Sequence, residues 1–285
     1  MKTKIALFSF FVLIPSLSLA HVKINYGFST FQNKRPYQED RFMYANINKG
    51  EFFGVYDGHG GDKTSSFLKN NLHTYFVKAQ GTIQDKFIRA FEQADYMCQN
   101  SWQDGSTVVV MYIDNNNVLH CAWAGDSRLV LESSDKVAFA SDDHKPDRED
   151  EKKRIEKAGG KVVMHGVWRV NGLAVSRSIG DVGCKEAGIG QIIATPEYAQ
   201  KQLTTSNHFA IIASDGLWDV ISSKRAVAIV AKALHEEKSL NDIARILQNV
   251  AIKRGSGDNI TICITQFDWT PVSTARKWWN WVWGK

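Results

Sequence analysis

Amphipathic helices come in pairs along this chain, with strand-like runs between the pairs and none within them. Leu68, Leu72, Tyr75 and Phe76 recur at helical spacing, and so do Ile83, Phe87, Phe91, Ala94 and Cys98. A second pair follows late in the chain, one helix marked by Ala226, Val227, Val230, Ala233 and Leu234, the next by Leu240, Ile243, Leu247 and Val250. Strand patterns occupy 51–56, 107–113, 118–124, 128–132, 136–140, 208–214 and 259–267, with Asn115-Asn116-Asn117 as a turn cluster. Strand clusters separated by helix pairs indicate a layered α+β domain, not an alternating βαβ fold. With 44% hydrophobic residues in 285, the chain has enough apolar material for one sizeable core. There is no internal repeat and no interdomain linker.

The segment 141–193 breaks this pattern. Residues 148–158 are charged and helix-prone, and Gly159-Gly160 should stop that helix. The remainder, up to about Pro196, is rich in glycine and short of long apolar runs, so an irregular flap bordering the site is expected. Its basic residues Lys152, Lys153, Arg154, Lys157 and Lys161 can attract acidic peptides. The commoner reading is a solvated helix face paired with Glu149, Glu151 and Glu156.

Both ends of the chain differ from the domain. Lys2 and Lys4 precede an apolar run over 5–14, then Pro15 and Ser18-Leu19-Ala20, which is the pattern of a secretory signal cleaved after Ala20. The run is too short to span a bilayer comfortably. The expected division is 1–20 signal, 21–268 domain and 269–285 tail. The tail holds Trp269, Trp278, Trp279, Trp281 and Trp283, with Arg276, Lys277 and Lys285 flanking the last four. Tryptophan beside basic residues suits a membrane interface or a protein contact. A tail folded back into an apolar groove of the domain is the alternative. The formal charge of +5 is spread along the chain, with no zinc-finger spacing and no long basic block, so nucleic-acid binding is not expected. Cys98, Cys121, Cys184 and Cys263 form no C-x-x-C pair. None has an arginine six positions on, which excludes a thiol-phosphatase loop. Cys121 and Cys263 sit in apolar stretches as buried thiols. An exported chain permits disulfides, and the sequence assigns none.

The chemistry lies in where the carboxylates fall. Asp57, Asp215 and Asp258 each stand at the start or end of a strand pattern, and Asp57 and Asp215 precede glycine. Strand ends present side chains at a sheet rim, and glycine lets the backbone turn there. Glu39, Asp40 and Asp126 add three more acidic groups. Six such groups without a Cys or His cluster suit hard, oxygen-preferring cations such as Mg²⁺ or Mn²⁺.

These residues belong to a series of motifs that resembles the PP2C (PPM) phosphatase family over essentially all of 25–268. The series runs Arg35-Pro-Tyr-Gln-Glu39-Asp40, Asp57-Gly58-His59-Gly60-Gly61, Gly105-Ser-Thr107 and Ala124-Gly-Asp-Ser-Arg128. It continues with Asp143-His-Lys-Pro146, Leu173-Ala-Val-Ser-Arg-Ser-Ile-Gly-Asp181, Ser214-Asp-Gly-Leu-Trp-Asp219 and Ser256-Gly-Asp-Asn-Ile-Thr261. Each motif alone is weak to moderate; all of them in the family's order are specific. The Asp-Gly-Leu-Trp-Asp wording looks closer to eukaryotic members than to most bacterial ones.

The resemblance implies a four-layer αββα sandwich, two antiparallel β-sheets flanked by helices, with a metal site at one end. It implies that Asp57 bridges two divalent cations, that Asp215 and Asp258 complete one shell, and that the Gly58 carbonyl and Glu39 serve the other. A weaker third ion would lie between Asp126 and Asp215. Asp40 and Asn259 would support the site from behind. Gly105, Ser106, Thr107 and Arg128 would shape it. Arg35 would clamp the phosphate and His59 would act as general acid. His144 and Arg177 match family positions without a catalytic role. The implied activity is hydrolysis of phosphoserine and phosphothreonine in proteins by a metal-activated water. A non-catalytic member kept as a binding module would have lost a metal aspartate or the motif arginine, and all of those are present.

Overall fold

The structure is a computed structural model that describes residues 22–47 and 50–269. The signal-like segment and the tryptophan-rich tail beyond Trp269 lie outside the described residues. Two five-stranded antiparallel sheets face each other. One runs, edge to edge, Val22–Phe31, Ile260–Trp269, Phe209–Ala213, Arg128–Ser133 and Lys136–Ala140. The other runs Glu197–Gln202, Val118–Ala124, Val108–Ile113, Gly50–Tyr56 and Arg41–Ile47. Helices Lys63–Lys78 and Ile83–Gln99 cover the outer face of the second sheet; Ser223–His235 and Leu240–Lys253 cover the first. The four-layer sandwich expected from the resemblance is the observed fold.

The central strands read as unbroken apolar runs because both faces are buried, and their period of two sorts the side chains between layers. Along Val108–Ile113, Val108, Val110 and Tyr112 pack under the helices, while Val109, Met111 and Ile113 fill the space between the sheets. Strand Gly50–Tyr56 divides the same way, Phe52 and Tyr56 against Phe53 and Val55. Three helices start on hydroxyl caps that accept a backbone N–H three residues on: Thr82 from Asp85, Ser222 from Arg225 and Ser239 from Asp242. Each such cap contributes about 1 kcal/mol. All four cysteines are free thiols, and Cys98, Cys121 and Cys263 are buried.

Three strands of the two large sheets escape the sequence reading, and all are sheet edges: Val22–Phe31, Arg41–Ile47 and Glu197–Gln202. An edge strand keeps one side in water, so its apolar pattern is diluted; Glu197–Gln202 has no buried residue at all.

The flap is more ordered than expected. It holds the helix Glu149–Lys157, a hairpin of Val163–His165 with Val167–Arg169, a one-turn helix Val182–Glu186 and a small core of Ile155, Val170 and Ile192. Lys152 and Lys153 pair with Glu156 and Glu149 on the helix surface, as the bland reading of the charge run requires. Glu151 departs from that reading. It is buried, and its carboxylate accepts from Arg154 at 2.7 Å, Arg177 at 2.6 Å and Ser176 at 2.6 Å. It ties the flap helix to Ser176 and Arg177 of the 173–181 motif.

Burial alone would raise the Glu151 carboxyl, but hydrogen bonds from Arg177, Arg154 and Ser176 outweigh it and hold the group well below its ordinary 4.5. Glu197 is likewise held down, at about 2, because His144 and Arg148 outweigh burial. A depressed carboxyl stabilises the fold above its unfolded value, and that contribution is lost as pH falls through the folded value. Glu151→Gln should therefore lower stability at pH 7 by roughly 3 kcal/mol, the cost of stripping one partner from a buried ion pair. The deficit should shrink as pH drops below 4.5. Urea denaturation of both proteins at pH 7 and at low pH checks this.

Candidate metal centre and catalytic cleft

The acidic residues gather at one rim of the sandwich. Asp57 is the first residue past strand Gly50–Tyr56, and Asp126 follows Val118–Ala124 after one glycine. Asp215 opens the single helical turn Asp215–Trp218 behind strand Phe209–Ala213, and Asp258 precedes Ile260–Trp269. Carboxylate oxygens of Asp57, Asp126 and Asp215 lie within 4.8 Å of one another. They line a cleft of about 290 Å³ with Arg35, Gly58, His59 and Asp258; Arg169, Leu173, Ala174 and Val175 of the flap form its other wall.

Several contacts hold this rim together. Asn259 accepts from the Glu39 N–H at 2.8 Å and donates to the carbonyls of Gln32 and Tyr37, which fastens the loop carrying Arg35 and Glu39 onto the last strand. Gly216 sits so close to the same segment that a Cβ there would lie 1.9 Å from the Asn259 carbonyl oxygen. Any side chain would push Asp215 out of the cluster. Arg35 donates to Asp258 at 2.5 Å and is half-exposed at the cleft mouth. Arg128 is pinned by Asp143 and lies over the Trp218 ring, 5.2 Å from its centroid, so it braces the site from outside the cleft.

A small three-stranded sheet sets the position of His59. Gly58–His59 pairs with Gly105–Ser106, which pairs with Ile179–Gly180. This brings Asp181 to His59, whose Nε2 meets its two carboxylate oxygens at 2.8 and 3.0 Å. Burial alone would push the imidazole down, but Asp181 holds it above its ordinary 6.5. Asp181 and Lys145 both stand in the motif series with no role implied for them, and Lys145 donates to Asp126 at 2.5 Å. Neither partnership has a local signal, because 122 and 19 residues separate the partners.

A family model described as Protein phosphatase 2C matches residues 24–260. This chain belongs to the protein phosphatase 2C family. Probable protein phosphatase 2C 11 of Arabidopsis thaliana is 40% identical over 260 residues, which cover 87% of this chain and 67% of the relative. Probable protein phosphatase 2C 7 of Oryza sativa subsp. japonica is 36% identical, over 86% of this chain and 66% of the relative. The chain thus spans about two thirds of these relatives and half of a third. Among solved structures, a C. elegans sex determining protein superposes with a TM-score of 0.76 at 28% identity, over 85% of this chain and 64% of that one. A phosphatase from Toxoplasma gondii superposes with a TM-score of 0.80 at 21% identity, over 90% and 96%, which speaks to the fold. The described residues are thus a PP2C-type protein phosphatase domain.

PP2C phosphatases are metal-dependent, and the donor set here fits a hard divalent cation. Every ligand-capable group in the cluster is an oxygen donor. Burial and the neighbouring charges of Asp40, Asp215, Asp126 and Asp258 push the Asp57 carboxyl well up. Burial, Asp126, Asp219 and Asp258 do the same to Asp215. Burial pushes Asp40 up to about 6 despite a hydrogen bond from Ser214, and its Oδ1 has no hydrogen-bond partner among the described residues. Lys145 is the cation that the described residues place against Asp126. Several buried acidic groups with one lysine between them are short of positive charge, which divalent ions would supply.

A carboxyl whose folded value is raised destabilises the fold once pH climbs past its unfolded value. In a chelator at pH 7, Asp57→Asn should therefore unfold at a higher temperature than wild type. With Mn²⁺ or Mg²⁺ at 100-fold above its dissociation constant, wild type should gain about 2.7 kcal/mol. The variant should lose most of that gain, reversing the order of the two melting temperatures. Thermal melts of both proteins with and without metal test the centre independently of catalysis.

Proposed function

We propose that this protein hydrolyses phosphoserine and phosphothreonine in proteins, with Mg²⁺ or Mn²⁺ bound at the acidic rim and water as nucleophile. The observation that carries this reading is the convergence of Asp57, Asp126 and Asp215 in a cleft that Arg35 and His59 also line. Asp57, Asp215 and Asp258, with Glu39 and the Gly58 carbonyl, would hold two core ions, and Asp126 a weaker third. When bound, the ions neutralise phosphate charge and lower the pKa of a shared water to near neutrality. Arg35 offers a planar two-pronged donor to the phosphate oxygens and exchanges its Asp258 contact for them. His59 supplies a proton to the departing seryl or threonyl oxygen. Its Nε2 is engaged by Asp181, so the transferred proton is the one on Nδ1. Protonating such a poor leaving group contributes about 10²–10⁴-fold. Phosphoryl transfer asks mainly for positioning and charge neutralisation, and these residues provide both.

The signal-like residues 1–20 support an exported protein acting on phosphoproteins outside the producing cell, including those of a host or neighbouring cell. The tail residues Trp278, Trp279, Trp281 and Trp283 support a contact with a membrane surface or another protein.

Purified residues 21–285 should hydrolyse a phosphothreonine peptide with Mn²⁺ or Mg²⁺ and stop in EDTA. Asp57→Asn and Asp215→Asn should each reduce turnover by at least about 10²-fold, as expected where charge stabilisation dominates. A folded wild type inactive with either metal would favour a non-catalytic binding module. For the export reading, the mature protein should start at His21 and be found outside the producing cell; an intact leader on a cytosolic protein would overturn it. Deleting 274–285 should abolish liposome binding if the tail is a membrane contact.

A further inference from the structure

Among the described residues, Asp181 is the only side-chain hydrogen-bond partner of His59, and Asp181 itself stands on a single turn of chain. Its backbone is left-handed, at φ 55° and ψ 42°, a conformation uncommon outside glycine. Its carboxylate takes one further hydrogen bond, from buried Ser178 at 2.6 Å. A Cβ at Gly105 would lie 2.2 Å from that carboxylate, so the pocket holding it has no spare room. What fixes this turn lies on another element. Asp95, on helix Ile83–Gln99, uses one oxygen, Oδ1, to accept from the Gly180 N–H at 2.8 Å and from Lys185 Nζ at 2.5 Å. These two donors flank Asp181 in the chain. Lys185 Nζ also donates to the Ser178 carbonyl at 2.9 Å, closing the turn on itself. Asp95 and Lys185 are nearly buried, with side-chain exposures of 14% and 11%, so the pair is poorly screened by solvent.

We propose that Asp95 and Lys185 form a positioning latch for the general acid: they hold the turn 178–185 so that Asp181 orients His59 toward the leaving-group oxygen. The inference rests on the acid role proposed for His59. Neither Asp95 nor Lys185 lines the acidic cleft, so the latch acts on it through Asp181. It makes the helix layer part of the catalytic apparatus, since the turn is tied down from a helix 85 residues earlier in the chain.

The test uses two substrates that differ in their need for an acid. A phosphothreonine peptide leaves as an alkoxide and needs the proton; p-nitrophenyl phosphate leaves as a stabilised phenolate and does not. His59→Ala, Asp95→Ala, Lys185→Met and the double variant His59→Ala with Asp95→Ala are compared in residues 21–285 with Mn²⁺. The expected result is a loss of at least about tenfold in kcat on the peptide for Asp95→Ala and Lys185→Met, a fraction of the general-acid contribution. KM for the peptide and turnover of p-nitrophenyl phosphate should stay within about twofold, and Lys185→Arg should restore peptide turnover. Asp95→Ala should cost nothing further in the His59→Ala background, because a latch that works through His59 has nothing left to position. Equal losses on both substrates, or a full additional loss on top of His59→Ala, would overturn the latch and leave a structural role. If His59→Ala itself affects both substrates equally, the acid reading falls and the latch with it, a result distinct from failure of the latch alone. Asp95→Asn, which keeps the shape and the Gly180 contact, serves if Asp95→Ala does not fold.

Discussion

Everything at this rim follows from the repulsion among carboxylates that the fold forces together. Asp57, Asp126 and Asp215 would separate if they were free to do so, because like charges repel, and the crowding pushes the Asp57 and Asp215 carboxyls up. They cannot, since each is fixed to the end of a strand whose other residues are locked into a double-sided core. The apolar packing of the sandwich holds an arrangement that is electrostatically unfavourable until cations arrive. A rigid, pre-collected set of oxygen donors is what a hard divalent ion needs, and the same core that imposes the strain removes the cost of assembling the site on binding.

Around that cluster the structure builds two further devices from polar contacts. Asn259 ties the loop of Arg35 and Glu39 to the last strand, so the phosphate clamp and one metal donor move as a unit with Asp258. On the opposite side, the three-stranded sheet sets His59 against Asp181, and the helix Ile83–Gln99 reaches that turn through Asp95. The flap forms one wall of the cleft and is anchored by the buried Glu151, whose arginine partners come from its own helix and from the 173–181 motif. Charge pairs are therefore used where position matters, and apolar packing where bulk stability does.

The sequence made much of this readable. Helix pairs and central strands came from periodicity, because central strands buried on both faces give long apolar runs and helix faces repeat every three to four residues. The edge strands Val22–Phe31, Arg41–Ile47 and Glu197–Gln202 were not visible, since water on one side removes the signal. The flap's helix was expected, but its small core of Ile155, Val170 and Ile192 was not, because those residues are scattered over 37 positions without a period. Glu151 read as one charge among many on a surface helix; only its neighbours show it to be an anchor.

For the site, the ordered motifs named the acidic residues, Arg35 and His59, and the structure brings Asp57, Asp126, Asp215, Asp258, Arg35 and His59 to one cleft. Residue type and local spacing were enough for that, because a strand end followed by glycine is a local property of the chain. Which groups touch is another matter. The His59–Asp181 pair, the Lys145–Asp126 pair, the Asp95–Lys185 pair and the capture of the Arg35 loop by Asn259 join residues that are 122, 19, 90 and more than 200 positions apart. By itself the sequence determined the layers and the donors, since both are written in short-range patterns. The tertiary structure alone decided the partners, since a contact energy at 3 Å depends on where two strands end in space and leaves no trace in the spacing along the chain.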